Sequence, residues 1–285
     1  MSVEKIEAIE GNTQMLDGGA MFGNAPKGLW QKWQSADSEN RIPLACRSFL
    51  VRAAGKNILL EAGIGAFFDP KMKERFGVVE SEHLLLKNLE LAGVKEPDID
   101  MVILSHLHFD HAGGLLPKFG SESEDLHFPN AKYVVSRRAL ERAQSPHFRD
   151  RASYINGLDQ KLEASERLIV VDGETHPDVY PEFIRFWQTE GHTPGQLHAF
   201  IKKGDNEFMF AGDLIPGCAW IHLPITMGYD RFAEQVIDEK KRLYEAEDLE
   251  KLHLLFTHDS THVTAKVLRN ERGRYEACQQ KSVLV

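Results

Sequence analysis

The chain has 285 residues, 42% hydrophobic and 27% charged, enough apolar material for a sizeable core and a composition for which disorder is not expected. Its formal net charge of −9 supplies neither a basic footprint for nucleic acid nor a polycationic face for an anionic membrane, so the expected partner is a small-molecule substrate. No run approaches the roughly 18 apolar residues of a membrane span, and the start MSVEKIEAIEGN has charges where a signal peptide needs an apolar core; a cytoplasmic protein is expected. Cys46, Cys218 and Cys278 are odd in number and widely spaced, which suits reduced core thiols and gives no Cys-x-x-Cys metal spacing. With no internal repeat and no Pro-, Gly- or Ser-rich linker, one domain over residues 1–285 is expected.

In chain order, a Gly- and Pro-containing stretch at about 17–45 carries Met21, Phe22, Leu29, Trp30 and Trp33 in neither helical nor strand rhythm. It reads as a pocket wall, as packing on the body of the domain, or as the contact of a homodimer. Residues 46–60 read as a hairpin, with Phe49-Leu50-Val51 before the turn Ala54-Gly55-Lys56-Asn57 and Ile58-Leu59-Leu60 after it. Leucines at helical spacing over 82–92, closed by Gly93, predict a helix with one buried face. The apolar run Met101-Val102-Ile103-Leu104 predicts a buried strand leading directly into Ser105-His106. Further strands are expected at 132–136, 167–171 and 183–189, and a hairpin over 197–211 that turns through Lys203-Gly204-Asp205-Asn206. Glu141, Arg142, Arg149 and Arg151 belong to a mixed-charge helical stretch that reads as a solvated face. A charged amphipathic helix over 231–247 and a strand over 252–257 ending on His258 complete a layered α/β pattern, with polar groups at the strand ends along one sheet edge.

The run His106-Leu107-His108-Phe109-Asp110-His111 places three imidazoles and a carboxylate within six residues, spaced by two apolar side chains that can anchor the loop. Such groups crowded after an apolar strand would repel or desolvate one another without a cation to bind. Ala112-Gly113-Gly114 then lets the backbone approach closely. Neutral imidazole and carboxylate suit zinc, and also manganese, iron or cobalt. Three later positions extend the set: His192 in Glu190-Gly191-His192-Thr193-Pro194-Gly195, Asp213 after Phe208-Met209-Phe210-Ala211-Gly212, and His258 after Leu254-Leu255-Phe256-Thr257. Singly, His192 is an ordinary loop histidine and Asp213 an ordinary helix N-cap. Each follows a strand, and together they make a constellation.

In order and approximate spacing these motifs resemble the metallo-β-lactamase superfamily. Residues 16–23, Leu-Asp-Gly-Gly-Ala-Met-Phe-Gly, and 223–230, Leu-Pro-Ile-Thr-Met-Gly-Tyr-Asp, are similar to the branch containing quorum-quenching lactonases and methyl parathion hydrolase. The resemblance implies an αββα sandwich and two divalent ions, zinc being the first choice. It assigns His106, His108 and His192 to one ion, Asp110, His111 and His258 to the other, and Asp213 to a bridge between them. It further implies hydrolysis by a water deprotonated between ions about 3.5 to 4 Å apart, with Asp110 as the catalytic residue that orients it and passes its proton to the leaving group.

Met21, Phe22, Trp30, Trp220 and His222 are the candidate substrate pocket, with Met227 close behind. The chain departs from the branch in having Glu61-Ala62-Gly63 where Asp-Thr-Gly is usual, and in having no tyrosine soon after Asp213, the nearest being Tyr229. Asp213 stands where one class of β-lactamases has cysteine, which argues against antibiotic hydrolysis. A lactone or other carboxylic ester is the expected substrate. A phosphotriesterase or thioesterase is the enzymatic alternative, and a ligand-binding signalling protein with a residual metal site the non-enzymatic one.

Overall fold

A computed structural model describes residues 2–284. The strands among them are, in chain order, β1 (Val3–Ile9), β2 (Gln14–Asp17), β3 (Arg41–Leu44), β4 (Ser48–Ala53), β5 (Lys56–Leu60), β6 (Met101–Ile103), β7 (Lys132–Ser136), β8 (Leu168–Val171), β9 (Ile184–Thr189), β10 (Gln196–Lys203), β11 (Asn206–Phe210), β12 (Leu252–Leu255), β13 (Thr264–Arg269) and β14 (Tyr275–Lys281). One six-stranded sheet runs β1-β4-β5-β6-β7-β8, a second runs β14-β13-β12-β11-β10-β9, and β2 and β3 form a separate ribbon. The helices are α1 (Gly18–Phe22), α2 (Lys27–Trp30), α3 (Pro70–Arg75), α4 (Leu84–Leu91), α5 (Phe109–Ala112), α6 (Arg137–Gln144), α7 (Leu158–Ala164) and α8 (Ala233–Ala246). No helix among the described residues is long and apolar enough to cross a membrane.

Because successive side chains in a strand point to opposite faces, each sheet sorts its apolar residues into two sets. From the first sheet Val51, Ile58, Leu60, Ile103 and Val134 meet Phe186, Ala199, Ile201, Phe210 and Leu255 of the second, and these form the core between the sheets. Their neighbours Leu50, Leu59, Val102, Tyr133 and Val135 turn outward onto Leu85 and Leu89 of α4, Leu140 of α6 and Leu162 of α7. Phe200, Met209, Leu254 and Val267 likewise pack outward against Val236, Leu243 and Tyr244 of α8. Two sheets face to face with helices on both outer faces are the expected αββα sandwich. Burial on both faces is why β6 is apolar throughout, without alternation.

Three features differ from expectation. β1 buries Val3, Ile6 and Ile9 at a spacing of three, with a register irregularity between Val3 and Lys5, so it lacks the alternation that marks a strand. The mixed-charge stretch leaves the helix at Ser145: Glu141, Arg149 and Arg151 are exposed as a solvated face would be, but Arg142 turns in to pair with Asp150 at 2.6 Å, both largely buried. Finally, Phe22, Trp30 and Trp220 are buried at 0%, 2% and 1% exposure and are core residues, not a pocket wall. Phe22 lies between the two indoles, stacked on Trp30 at 5.4 Å and on Trp220 at 4.5 Å between ring centroids. The Trp220 indole N–H donates to the Met21 carbonyl at 2.9 Å, so the polar atom is satisfied as well. A Cβ at Gly18 would sit 2.5 Å from the Trp30 ring, which explains the glycine there.

This stack joins the N-terminal segment to the second sheet, and Trp30→Ala is expected to destabilise the protein by about 3–5 kcal/mol. A urea titration measures this, and a loss below about 1 kcal/mol would mean the segment packs loosely.

Candidate metal centre

β6 delivers the histidine run to the edge of the first sheet. Ser105 N–H donates to Glu61 Oε1 at 2.6 Å and Ala62 N–H to the His111 carbonyl at 2.9 Å, so the end of β5 braces the turn. Leu107 is buried under the outer helices, and Phe109 packs edge-on to Phe68 and against Phe76. Apolar anchors thus alternate with polar groups that face the cleft. A Cβ at Gly114 would fall 1.9 Å from the Ala62 carbonyl oxygen, so only glycine lets this turn lie against the strand end.

Seven side chains converge here. His106 Nε2 lies 2.9 Å from His108 Nδ1, which is 3.4 Å from His192 Nε2. His111 Nε2 and His258 Nε2 are 3.2 Å apart, with Asp110 Oδ1 3.9 Å from the first and Asp110 Oδ2 3.7 Å from the second. Asp213 divides its oxygens: Oδ1 is 3.2 Å from both His111 Nε2 and His258 Nε2, while Oδ2 is 3.3 Å from His192 Nε2. Asp213 Oδ1 is buried without a hydrogen bond despite those distances, so the nitrogens around it do not aim their N–H groups at it. Ring nitrogens converging this closely around a buried carboxylate oxygen that has no hydrogen bond fit a cation between them. His106-His108-His192 and Asp110-His111-His258 each bring three donor atoms within 4.8 Å, and His106-His111-Asp213 links them.

Three of the remaining ring nitrogens have hydrogen-bond partners, while His108 Nε2 and His111 Nδ1 are buried without one. His192 Nδ1 lies 2.9 Å from Asp230 Oδ1, His258 Nδ1 donates to the Ala45 carbonyl at 2.7 Å, and His106 Nδ1 is 2.9 Å from Ser105 Oγ. His111 Nδ1 faces Glu61 Oε2 at 3.2 Å. A proton held on Nδ1 leaves the Nε2 lone pair free for an ion. Glu61 is wholly buried with φ of 68°, a left-handed conformation unusual for a residue with a side chain, and it reaches both Ser105 and His111. The Glu-Ala-Gly departure therefore leaves a carboxylate behind the ligand histidine.

Burial, and then the neighbouring imidazoles, push His106 and His108 well below the ordinary histidine range, so both are neutral and able to offer a lone pair. Burial acts the same way on His111 and His258, but Asp213, joined by Glu61 and Asp110 at His111 and by Cys46 at His258, outweighs it and holds both well above that range. Asp213 is held well below the carboxylate range, its burial overcome by His111, His258 and His192.

Beside the cluster opens a cavity of about 290 Å³ lined by His108, Asp110, His192, Asp213 and His258, and by apolar Leu16, Met21, Leu44, Phe76, Phe109 and Met227. Arg149, Asp150, Gly228 and Tyr229 also line it.

The metallo-beta-lactamase superfamily profile matches residues 41–258. The chain belongs to this superfamily. An N-acyl homoserine lactonase, AttM, from Azorhizobium caulinodans is 27% identical over 141 residues, 49% of this chain and 47% of that protein; the match thus spans about half the relative's length. A structure described as a probable metal-dependent hydrolase from Staphylococcus aureus superposes with a TM-score of 0.85 at 29% identity, covering 98% of this chain and 99% of that one. The dizinc quorum-quenching lactonase AidC, solved with the product N-hexanoyl-L-homoserine, gives a TM-score of 0.72 at 20% identity, covering 98% and 95%. With the His/Asp cluster, superfamily membership indicates divalent-metal binding.

In this superfamily member, all seven residues expected around the metal are brought together. Of the expected pocket residues Met21 lines the cavity, as does Met227, whereas Phe22, Trp30 and Trp220 are core. His222 lies elsewhere: it accepts no place at the cleft, stacks on Trp33 at 5.3 Å and contacts the Tyr275 carbonyl at 2.9 Å on the outer side of β14. Cys46 is a buried free thiol, while Cys218 and Cys278 are only half-buried. Cys218, Asp259 and His262 form another close group, but the Asp259 carboxylate already accepts the backbone N–H groups of Cys218, Thr261 and His262.

Sequence reasoning gave no role to Asp230 or Gln14. Asp230 is buried, touches His192 with Oδ1 and accepts the Met227 N–H on Oδ2 at 2.7 Å. Gln14 donates to Asp110 Oδ2 at 3.0 Å. Asp230→Ala is expected to weaken metal affinity about 10- to 100-fold, the usual effect of losing a carboxylate behind a ligand histidine. Competition with a chromogenic chelator reads it directly, and unchanged affinity would make Asp230 a loop brace only.

Proposed function

We propose that the protein is a dinuclear metal-dependent hydrolase that opens a lactone or another carboxylic ester. The observation that carries this reading is Asp213, whose two oxygens are divided between two groups of donors. His106, His108 and His192 would hold one ion, Asp110, His111 and His258 the other, and Asp213 both; zinc suits this set, as do manganese, iron and cobalt. Two divalent ions there would polarise the scissile group and acidify a water molecule.

The chain's own residues supply the rest. Glu61, Asp230 and the Ala45 carbonyl fix the rings of His111, His192 and His258. Gln14 holds Asp110 Oδ2, leaving that carboxylate facing the cavity, where it orients the attacking water, takes its proton and delivers it to the leaving oxygen. Leu16, Met21, Phe76 and Met227 give an apolar wall for an acyl or aryl group and exclude water around the reacting carbonyl. The lactonase relatives support the choice of a lactone or ester over other bonds.

The test is metal content of the isolated protein together with initial rates on a lactone, an aryl ester, a thioester and a phosphotriester. Two ions per chain and fastest turnover of lactone or ester agree with the proposal. Preference for the phosphotriester or thioester replaces the substrate class, and one ion or none overturns the dinuclear reading.

A further inference from the structure

Several arginines of this acidic chain have a carboxylate within 4.0 Å, among them Arg47, Arg52, Arg137, Arg138 and Arg185. Arg149 has none among the described residues, although it lines the cavity beside the metal cluster. The carboxylate next to it, Asp150, also lines the cavity but is taken by Arg142 at 2.6 Å. One Nη of Arg149 donates to the Gly228 carbonyl at 2.7 Å and lies 3.3 Å from the Asp230 carbonyl. Gly228 is itself a lining residue, so the guanidinium spans from residue 149 to the segment carrying Met227, Gly228 and Tyr229. That segment is fixed in turn, since Gly228 N–H donates to the Ala20 carbonyl and Asp230 holds His192. A guanidinium has five N–H donors in a rigid fork, and the two carbonyls engage only one nitrogen.

We propose that Arg149 recognises a carboxylate on the substrate, outside the bond that is cleaved, so that the cavity selects amphipathic esters with an apolar body and an anionic end. This rests on the hydrolase reading and names its substrate class. Leu16, Met21, Phe76 and Met227 take the apolar body, and the unpaired cation takes the charge. The guanidinium is exposed, so its attraction is screened by salt, with a Debye length of about 8 Å at 0.15 M.

Two reporter esters of equal chain length test the assignment: p-nitrophenyl hexanoate and the mono-p-nitrophenyl ester of adipic acid. The readout is the ratio of their kcat/KM values, because removing Arg149 also frees the Gly228 carbonyl and can change both rates together. The metal-loaded wild type is expected to favour the adipate ester, through KM, and rising salt to erode that preference. Arg149→Met is expected to lower the ratio about 2- to 5-fold, the worth of an ion pair at an exposed site, and Arg149→Lys to keep most of it. A ratio unchanged in Arg149→Met, or no adipate preference in the wild type at low salt, overturns the proposal. If neither ester is hydrolysed, the fault lies with the choice of ester, and calorimetric binding of monomethyl adipate against methyl hexanoate, in wild type and Arg149→Met, decides the recognition role independently.

Discussion

Asp110→Asn is expected to lower kcat by about 10²- to 10⁴-fold with KM little changed, the range for removing a positioned general acid–base group. Asparagine has the same shape and keeps an oxygen to accept the Gln14 amide, so the loop need not move. It cannot take up a proton at any pH of interest, and that capacity is what the variant removes. Asp110 Oδ1 and Oδ2 lie 3.9 and 3.7 Å from the ring nitrogens of His111 and His258, further than the 3.2 Å that separates Asp213 Oδ1 from the same atoms. Asp110 is thus the looser member of its donor group and the one free to shuttle. Metal content measured on the same preparation separates the two roles. A fall in kcat at full occupancy identifies proton transfer, and a kcat within about fivefold of wild type would leave Asp110 as a ligand alone.

What the sequence shows of this protein follows from which physical signals are local. β5, β6 and β7 are covered on both faces and read directly as apolar runs, and the cluster residues at 106–111, 213 and 258 stand where such runs end. Asp230 carries no such signal, because its partner His192 lies 38 residues away and only the fold brings them together. Gln14 sits on a four-residue ribbon strand too short to show alternation. Arg149 lies among charges that look like a solvated helix face until the chain leaves that helix at Ser145 and turns toward the cavity. The aromatic residues fail for the opposite reason: Phe22, Trp30 and Trp220 have the bulk for either a pocket wall or a core, and nothing local distinguishes the stack they form from a surface for substrate.

Chelation is expected to lower the melting temperature on the order of 10 °C at pH 8 and by much less at pH 5.5. In the metal-free protein His111 and His258 are held well above their ordinary 6.5 because Asp213 and the other groups around them together outweigh their burial. A histidine raised in this way contributes stability that is complete below about pH 6.5 and is lost as pH rises through its folded value. Asp213 is depressed, so its contribution is complete above about pH 3.9 and is lost as pH falls through its own folded value. The contributions of His111, His258 and Asp213 are therefore complete together between about pH 4 and 6.5, while His106 and His108, held below their ordinary range, offset part of this as pH falls below about 6.5. An ion must displace the protons on His111 and His258, and each one displaced weakens apparent affinity about tenfold per pH unit. An ion at about a thousand times its dissociation constant adds about 4 kcal/mol, and a change of this size shifts the melting point of a chain this long by a few degrees per kcal/mol. Both effects widen the gap between loaded and stripped protein as pH rises. Scanning calorimetry with and without chelator at the two pH values measures it, and a gap that is constant, or wider at pH 5.5, would show that His111 and His258 do not exchange their protons for metal.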